Sequence, residues 1–267
     1  RSLGASGFRR TVAATRRHSA AGTRRPGQLR PRHLYRPLTS RHPGSSRIGR
    51  WYGLPVDDGL GDLDWAPILD ALYESGSAHL TGVIDSGLAG RLLAARPSDW
   101  HRLPEREGVV RQHGFGAYST IPEVGNLVSN LAADIIAGAR STNPPSHLPD
   151  FNELTWTRYP AGSGRISAHR DPEAYVGIIA VATLVGSAPF RVWDRGVLGH
   201  PHEVLAGRSE PQNRIASAGD VILLTGHGWP EVGDRCPMHE ADAPAGGERV
   251  IMTLRANARG AGGGYDV

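Results

Sequence analysis

From Ile121 to Arg140 the sequence IPEVGNLVSNLAADIIAGAR repeats apolar residues at i, i+3 and i+4. That spacing gathers them on one side of a helix and predicts one over 121–140, ending before the loop STNPPSHLP. Upstream, Asp64 precedes WAPILDALYES and Gly76 follows it, a carboxylate N-cap and a glycine stop around a second helix. SGLAGRLLAAR, closed by Pro97, predicts a third. After Asp150 the period changes. ELTWTRY, GRISAH, VGIIAVATLV, PFRVWD, GDVILLTG and ERVIMTLRA are short, rich in β-branched or aromatic residues, and separated by Gly, Pro and Asp turns, so they predict strands. Helices first and strands later imply an antiparallel sheet with helices packed on one side, or a helix-buttressed β-sandwich. The chain shows no internal repeat. One domain over 51–267 is expected, with helical support over 51–149 and a β core over 150–259.

Charge changes this picture at the N-terminus. Residues 1–50 hold thirteen arginines and no Asp or Glu, while the remainder carries 17 arginines against 26 acids. The basic excess therefore belongs to a tail and the body is acidic. The tail is poor in large apolar residues and rich in Gly, Pro and Ser, which predicts disorder over 1–50. It reads as a nucleic-acid-binding arm, as an Arg-rich transit-type peptide, or as translated upstream sequence without a role. No run of eighteen apolar residues is present, so no membrane span is expected, and a cytoplasmic protein is. The single cysteine, Cys236, excludes a disulfide scaffold.

The chemistry concentrates in SAHRDPEAY. On a strand, i and i+2 share a face, so His169 and Asp171 can converge on one ion. A third ligand is sought after GDVILLTG, where the chain offers His227 and His239. Two histidines and one carboxylate leave open positions on a metal, the arrangement of non-heme Fe(II) oxygenases. If the co-substrate is 2-oxoglutarate, its distal carboxylate needs an arginine fork, and GGERVIMTLRANAR supplies Arg249 and Arg255, six apart on one strand face. The competing reading is a chance H-x-D on a surface strand with two arginines in surface ion pairs. A second H-x-H, His200 and His202, lacks the glutamate of a cupin-type site, since Ala206 and Gly207 follow instead, and it reads as loop. Cys236 is a soft alternative ligand close to His239, or an ordinary loop cysteine.

TRYPAGSGRISAHRD, GDVILLTG and RVIMTLR, in that order, resemble the AlkB-like branch of the Fe(II)/2-oxoglutarate dioxygenases over roughly residues 150–259. The resemblance implies an α+β fold, a double-stranded β-helix (a jelly-roll-like antiparallel sandwich) buttressed by N-terminal helices. It implies His169, Asp171 and His239 as ligands of Fe(II), Arg249 at the distal carboxylate of 2-oxoglutarate, Arg255 at the other end, and Tyr159 as a hydrogen-bond donor to it. His239 is favoured over His227 because Arg249 follows it by ten residues rather than twenty-two, the interval of the resembling families. O2 is the further co-substrate, and a C–H bond is oxidised with release of succinate and CO2. Two positions depart from the pattern: Thr157 stands where the branch has Asn, and Ile251 where it has Asn or Ser.

For the substrate, Glu173, Tyr175 and Arg111 are candidate contacts, with Trp193 and Trp229 as stacking surfaces and residues 108–119 where that branch carries a lid. The acidic body favours a small-molecule substrate over a phosphate backbone. Dealkylation of nucleobases, with the basic tail gripping nucleic acid, is the alternative, and a metal-free binding module is a third. No feature of the sequence indicates an oligomeric state.

Overall fold

A computed structural model describes residue 60 and residues 63–104, 111–141, 148–194, 197, 210–229 and 236–261. The tail, residues 108–110 of the expected lid, and His200 and His202 lie outside the described residues. Asp64 caps α1 (Trp65–Ser75), its carboxylate accepting from the Ala66 amide, and Gly76 ends it at φ 83°. Asp85 caps α2 (Ser86–Ala94) in the same way, accepting from Leu88. The helix expected over 121–140 is interrupted. Gly125, at φ 82° and ψ 176°, separates a single 3-10 turn, Ile121–Val124, from α3 (Asn126–Ser141). An L side chain rarely adopts that backbone conformation, so the apolar periodicity continues across a real break.

Twelve strands are described: β1 (Ser77–Leu80), β2 (His101–Arg102), β3 (Gln112–His113), β4 (Phe115–Thr120), β5 (Glu153–Tyr159), β6 (Arg165–His169), β7 (Tyr175–Val185), β8 (Ser187–Val192), β9 (Gln212–Ser217), β10 (Val221–Thr225), β11 (His239–Ala241) and β12 (Arg249–Asn257). They form a seven-stranded sheet in the order β1-β10-β7-β12-β5-β4-β2 and a five-stranded sheet in the order β3-β6-β11-β8-β9. Every pairing between these strands is antiparallel. Residues 65–141 thus supply more than helical support: β1, β2 and β4 extend the larger sheet and β3 the smaller. With β9 and β11, these four are strands that the hydrophobic pattern does not announce, being short and only partly apolar.

Strand alternation places the core in two layers. Leu154, Trp156, Ile178, Ala180, Ala182, Leu223, Met252 and Leu254 face the helices. Their neighbours Ile179, Val181, Ile222, Leu224 and Ile251 face the second sheet, where Phe190, Val192, Ala216 and Ala241 meet them. The space between the sheets is where functional side chains are held.

Candidate metal and co-substrate site

β6 and β11 are neighbours, and their register sets His169 opposite His239. A bulge follows, since Ala241 pairs with Ile166; such an extra residue re-aims side chains at a site. The imidazole centroids lie 4.3 Å apart, and His239 Nε2 is 3.7 Å from Asp171 Oδ2. One ligand atom from each of His169, Asp171 and His239 falls within 4.8 Å of the others, and all three residues are buried. Both rings are oriented from behind. His169 Nδ1 donates to the Ser167 carbonyl at 2.8 Å, and His239 Nδ1 donates to the Pro237 carbonyl at 3.2 Å. Each bond leaves Nε2 as a lone pair facing the centre, the tautomer a metal ligand requires.

The electrostatics suit a cation. Burial pushes His169 down to about 4, with His239 adding to the shift, so the ring is a neutral donor at physiological pH. Burial also opposes ionisation of Asp171, yet His239, Arg255 and His169 outweigh it and hold the carboxyl below its ordinary range. Two imidazoles with Nε2 turned to the centre and an ionised carboxylate, away from water, form a donor set of the borderline type that Fe(II) accepts. His227 approaches but is used elsewhere: its Nε2 lies 3.3 Å from the Asp171 backbone carbonyl and 3.4 Å from Cys236 Sγ. It follows β10, in the other sheet, whereas β11 lies directly beside β6. Burial, the leading cause, pushes the Cys236 thiol up to about 12, which keeps it a protonated packing group.

β12 carries the second half of the site. Its register with β5 pairs Arg249 with Tyr159, Ile251 with Thr157, Thr253 with Thr155 and Arg255 with Glu153. These pairs form a ladder on the face turned toward the second sheet, with a guanidinium at each end. Arg249 is only 1% exposed, Nη2 donates to Thr183 Oγ1 at 3.1 Å, and its Nε has no hydrogen-bond partner among the described residues. Burial pushes its pKa down, the mark of a charge held from water without full compensation. A carboxylate from a ligand would supply the missing partner. Gly186, at φ 72°, admits the close passage of the Glu248 carbonyl beside this strand start, where a Cβ would come within 2.3 Å. The two departures from the family pattern, Thr157 and Ile251, are cross-strand partners between the arginines.

Arg255 sits near the three clustered side chains and is held by Glu153, which the sequence does not mark, and by Tyr175. Glu153, buried, lies 3.7 Å from Arg255 Nη1, and accepts from Tyr175 Oη at 3.0 Å and from Asn257 Nδ2 at 2.8 Å. The guanidinium stands 4.7 Å over the Tyr175 ring. The cross-strand register would have revealed Glu153, but no motif marks it.

The substrate candidates are placed differently from one another. Tyr175, expected as a substrate contact, is 1% exposed and engaged with Glu153 and Arg255, so it supports the site from within. Glu173 is exposed on the loop after Asp171. Arg111 is exposed at the other end of β6, lining a cavity with Arg165. Trp193 and Trp229 are buried; Trp229 packs 5.5 Å from Tyr73. The segment expected as a lid forms, over its described part, β3 and β4.

No family model matches the chain, and no curated protein matches it. Solved structures do. A 2OG-Fe(II) oxygenase family oxidoreductase from Burkholderia pseudomallei superposes with a TM-score of 0.52 at 14% identity, covering 75% of this chain and 93% of that one. A Pseudomonas putida prolyl-4-hydroxylase gives 0.51 at 18% identity, covering 72% and 98%. HygX from Streptomyces hygroscopicus, solved with nickel and 2-oxoglutarate bound, gives 0.50 at 14%, covering 73% and 87%. The strand order of the two sheets and these likenesses together show the double-stranded β-helix fold of the 2-oxoglutarate/Fe(II) oxygenases.

Proposed function

We propose that the protein is an Fe(II)- and 2-oxoglutarate-dependent dioxygenase that oxidises a C–H bond of a small-molecule substrate and releases succinate and CO2. One observation carries this reading: the buried His169–Asp171–His239 cluster shares the inter-sheet space with Arg249, a buried guanidinium that no described carboxylate pairs. Ferrous iron held by the three side chains would supply the oxidative chemistry, with O2 and 2-oxoglutarate as co-substrates. The protein's own task is positioning. Ser167 and Pro237 fix the two imidazoles, Asp171 supplies the anionic ligand, and Arg249 with Tyr159 takes the distal carboxylate. Arg255, steadied by Glu153 and Tyr175, faces the opposite end, and the apolar inter-sheet layer keeps bulk water out.

The solved relatives in this fold include a prolyl-4-hydroxylase and an enzyme binding 2-oxoglutarate, in line with a small-molecule or peptidyl substrate. The narrower kinship with the AlkB-like branch rests on the TRY, H-x-D and R-x5-R segments, and the Arg249–Tyr159 pairing supports it. Anaerobic addition of Fe(II) and 2-oxoglutarate is expected to give a weak visible charge-transfer band. Aerobic incubation is expected to release succinate, and His239→Ala to lower that release by more than about 100-fold. A wild-type protein giving neither band nor succinate, beside a competent control enzyme, would refute the proposal.

A further inference from the structure

A cavity of about 900 Å³ opens at the other end of the five-stranded sheet from the metal cluster. β6 connects the two places: Arg165 lines the cavity and His169 belongs to the cluster, four residues or roughly 13 Å further along. Arg102, Arg111 and Arg165 line it together with His113, Ser163 and Asp242. Among the described residues, no carboxylate lies within ion-pair distance of the three arginines. Asp242 is already committed, since Arg191 donates to both of its oxygens as well as to Glu240. Three like charges lining one concavity favour an anionic ligand there. They stand on a body with more acids than arginines, where carboxylate partners were plentiful.

The cavity is also built rather than incidental. Arg111 is clamped to β6 by a reciprocal pair, its amide donating to Ser167 Oγ and its carbonyl accepting from the Ser167 amide, both at 2.9 Å. The next two residues continue that edge, Gln112 opposite Ile166 and His113 opposite Arg165. His113 Nδ1 donates to the Ser163 carbonyl at 3.0 Å, which ties two of the lining residues together. The Gly162 amide donates to Pro244 at 2.8 Å, and the Asp242 amide donates to Pro189 at 3.0 Å, fixing the remaining walls. Arg102 is brought in by β2, paired with Phe115. Such preorganisation lowers the ordering cost of binding.

Between this cavity and Arg249 stands Tyr159. The β3–β4 corner closes on its ring, where a Cβ at Gly114 would come within 3.2 Å, and Gln112 Nε2 donates to its hydroxyl at 3.4 Å. We propose that the cavity is a second anion site, binding a small molecule with two or more negative charges on phosphate or carboxylate groups, apart from the 2-oxoglutarate site. A volume of this order suits a small ligand, whereas nucleic acid demands an extended basic surface. The inference concerns the arginines alone and stands without the iron chemistry.

Titration calorimetry of the full chain at low salt tests it, with pyrophosphate and citrate as probes. One saturable site for at least one probe is expected, weakened by added salt and by at least about tenfold in the double variant Arg111→Gln/Arg165→Gln. Arg249→Met is expected to leave that binding intact while removing 2-oxoglutarate binding, which separates the two sites. Stronger binding of pyrophosphate marks a phosphate ligand, and of citrate a carboxylate. The proposal is overturned if neither probe saturates, or if binding is lost in Arg249→Met and kept in the double variant. It is equally overturned if the arginines serve only an oligonucleotide that pyrophosphate does not displace.

Discussion

The seven-stranded sheet is buried on both faces, packed by helices on one side and by its companion sheet on the other. The five-stranded sheet packs its inner face against the larger sheet and covers its outer face only locally, where Ala168 is buried with Trp193 and Met238, leaving Ile215 57% exposed on β9. The candidate metal ligands come from the thinner sheet and its margin, on β6, β11 and the residues just after β6, whereas Arg249 and Arg255 come from the centre of the thicker one. The division has a physical logic. A buried guanidinium is tolerable only where the surrounding layer is stable enough to carry its desolvation. Short strands such as β11 gain from a metal that cross-links them to their neighbour, because ligation adds to folding free energy.

The largest effect that tests this division is expected at Arg249. Arg249→Met removes a buried charge whose only described hydrogen-bond partner is Thr183 and replaces it with an apolar side chain. Affinity for 2-oxoglutarate is expected to fall by more than about 30-fold, the loss of a desolvated charge pair of at least ~2 kcal/mol. The melting temperature of the metal-free protein is expected to hold or rise, since an uncompensated buried charge is gone. A matched fall in stability and affinity would make Arg249 a structural residue and erase the distinction.

A pair of truncations compares the sheets directly. Leu223, fully buried on β10 against the helices, is expected to cost about 2–5 kcal/mol as Leu223→Ala. Ile215→Ala, on the exposed face of β9, is expected to stay within about 0.5 kcal/mol. Urea denaturation measures both. Equal costs would mean that the outer face of the five-stranded sheet is covered in solution.

The same asymmetry explains what the sequence disclosed. β7, β10 and β12 are buried on both faces and read as long apolar runs, so their existence was plain from VGIIAVATLV, VILLT and RVIMTLR. β9 is half exposed and β11 spans three residues, so no hydrophobic period revealed them. The R-x5-R spacing located Arg249 and Arg255 because period-two geometry ties them to one face of β12, whereas β6 ends at His169 and Asp171 reaches the cluster from the residues just after that strand. Glu153 and Thr183 escaped notice because their roles arise from register, Glu153 opposite Arg255 and Thr183 opposite Ile251, and a single sequence does not print register. Tyr175 was legible as an aromatic near Asp171, but its contacts with Glu153 and Arg255 depend on direction, which sequence distance does not give.

The smallest effect concerns the joint between the sheets. β9 ends at Ser217 and β10 begins at Val221, so Asp220 sits where the chain passes from the thin sheet to the thick one. Its carboxylate accepts from the Ser217 amide at 2.8 Å, the Gly82 amide at 2.9 Å and His79 Nε2 at 3.0 Å. Burial, the largest single influence, pushes its pKa up, but these bonds together outweigh it and hold it below the ordinary range. A carboxyl with a lowered folded pKa stabilises the protein above its unfolded value of about 3.9, and the contribution fades as pH falls through the folded value. Asp220→Asn keeps the shape and weakens the charge-assisted bonds, at an expected cost of about 1–2 kcal/mol at pH 7. Thermal melts at pH 7 and at successively lower pH check it: the gap between wild type and variant should close below about pH 4. A gap that persists unchanged into acid would show that the joint depends on shape at Asp220, with its charge contributing nothing.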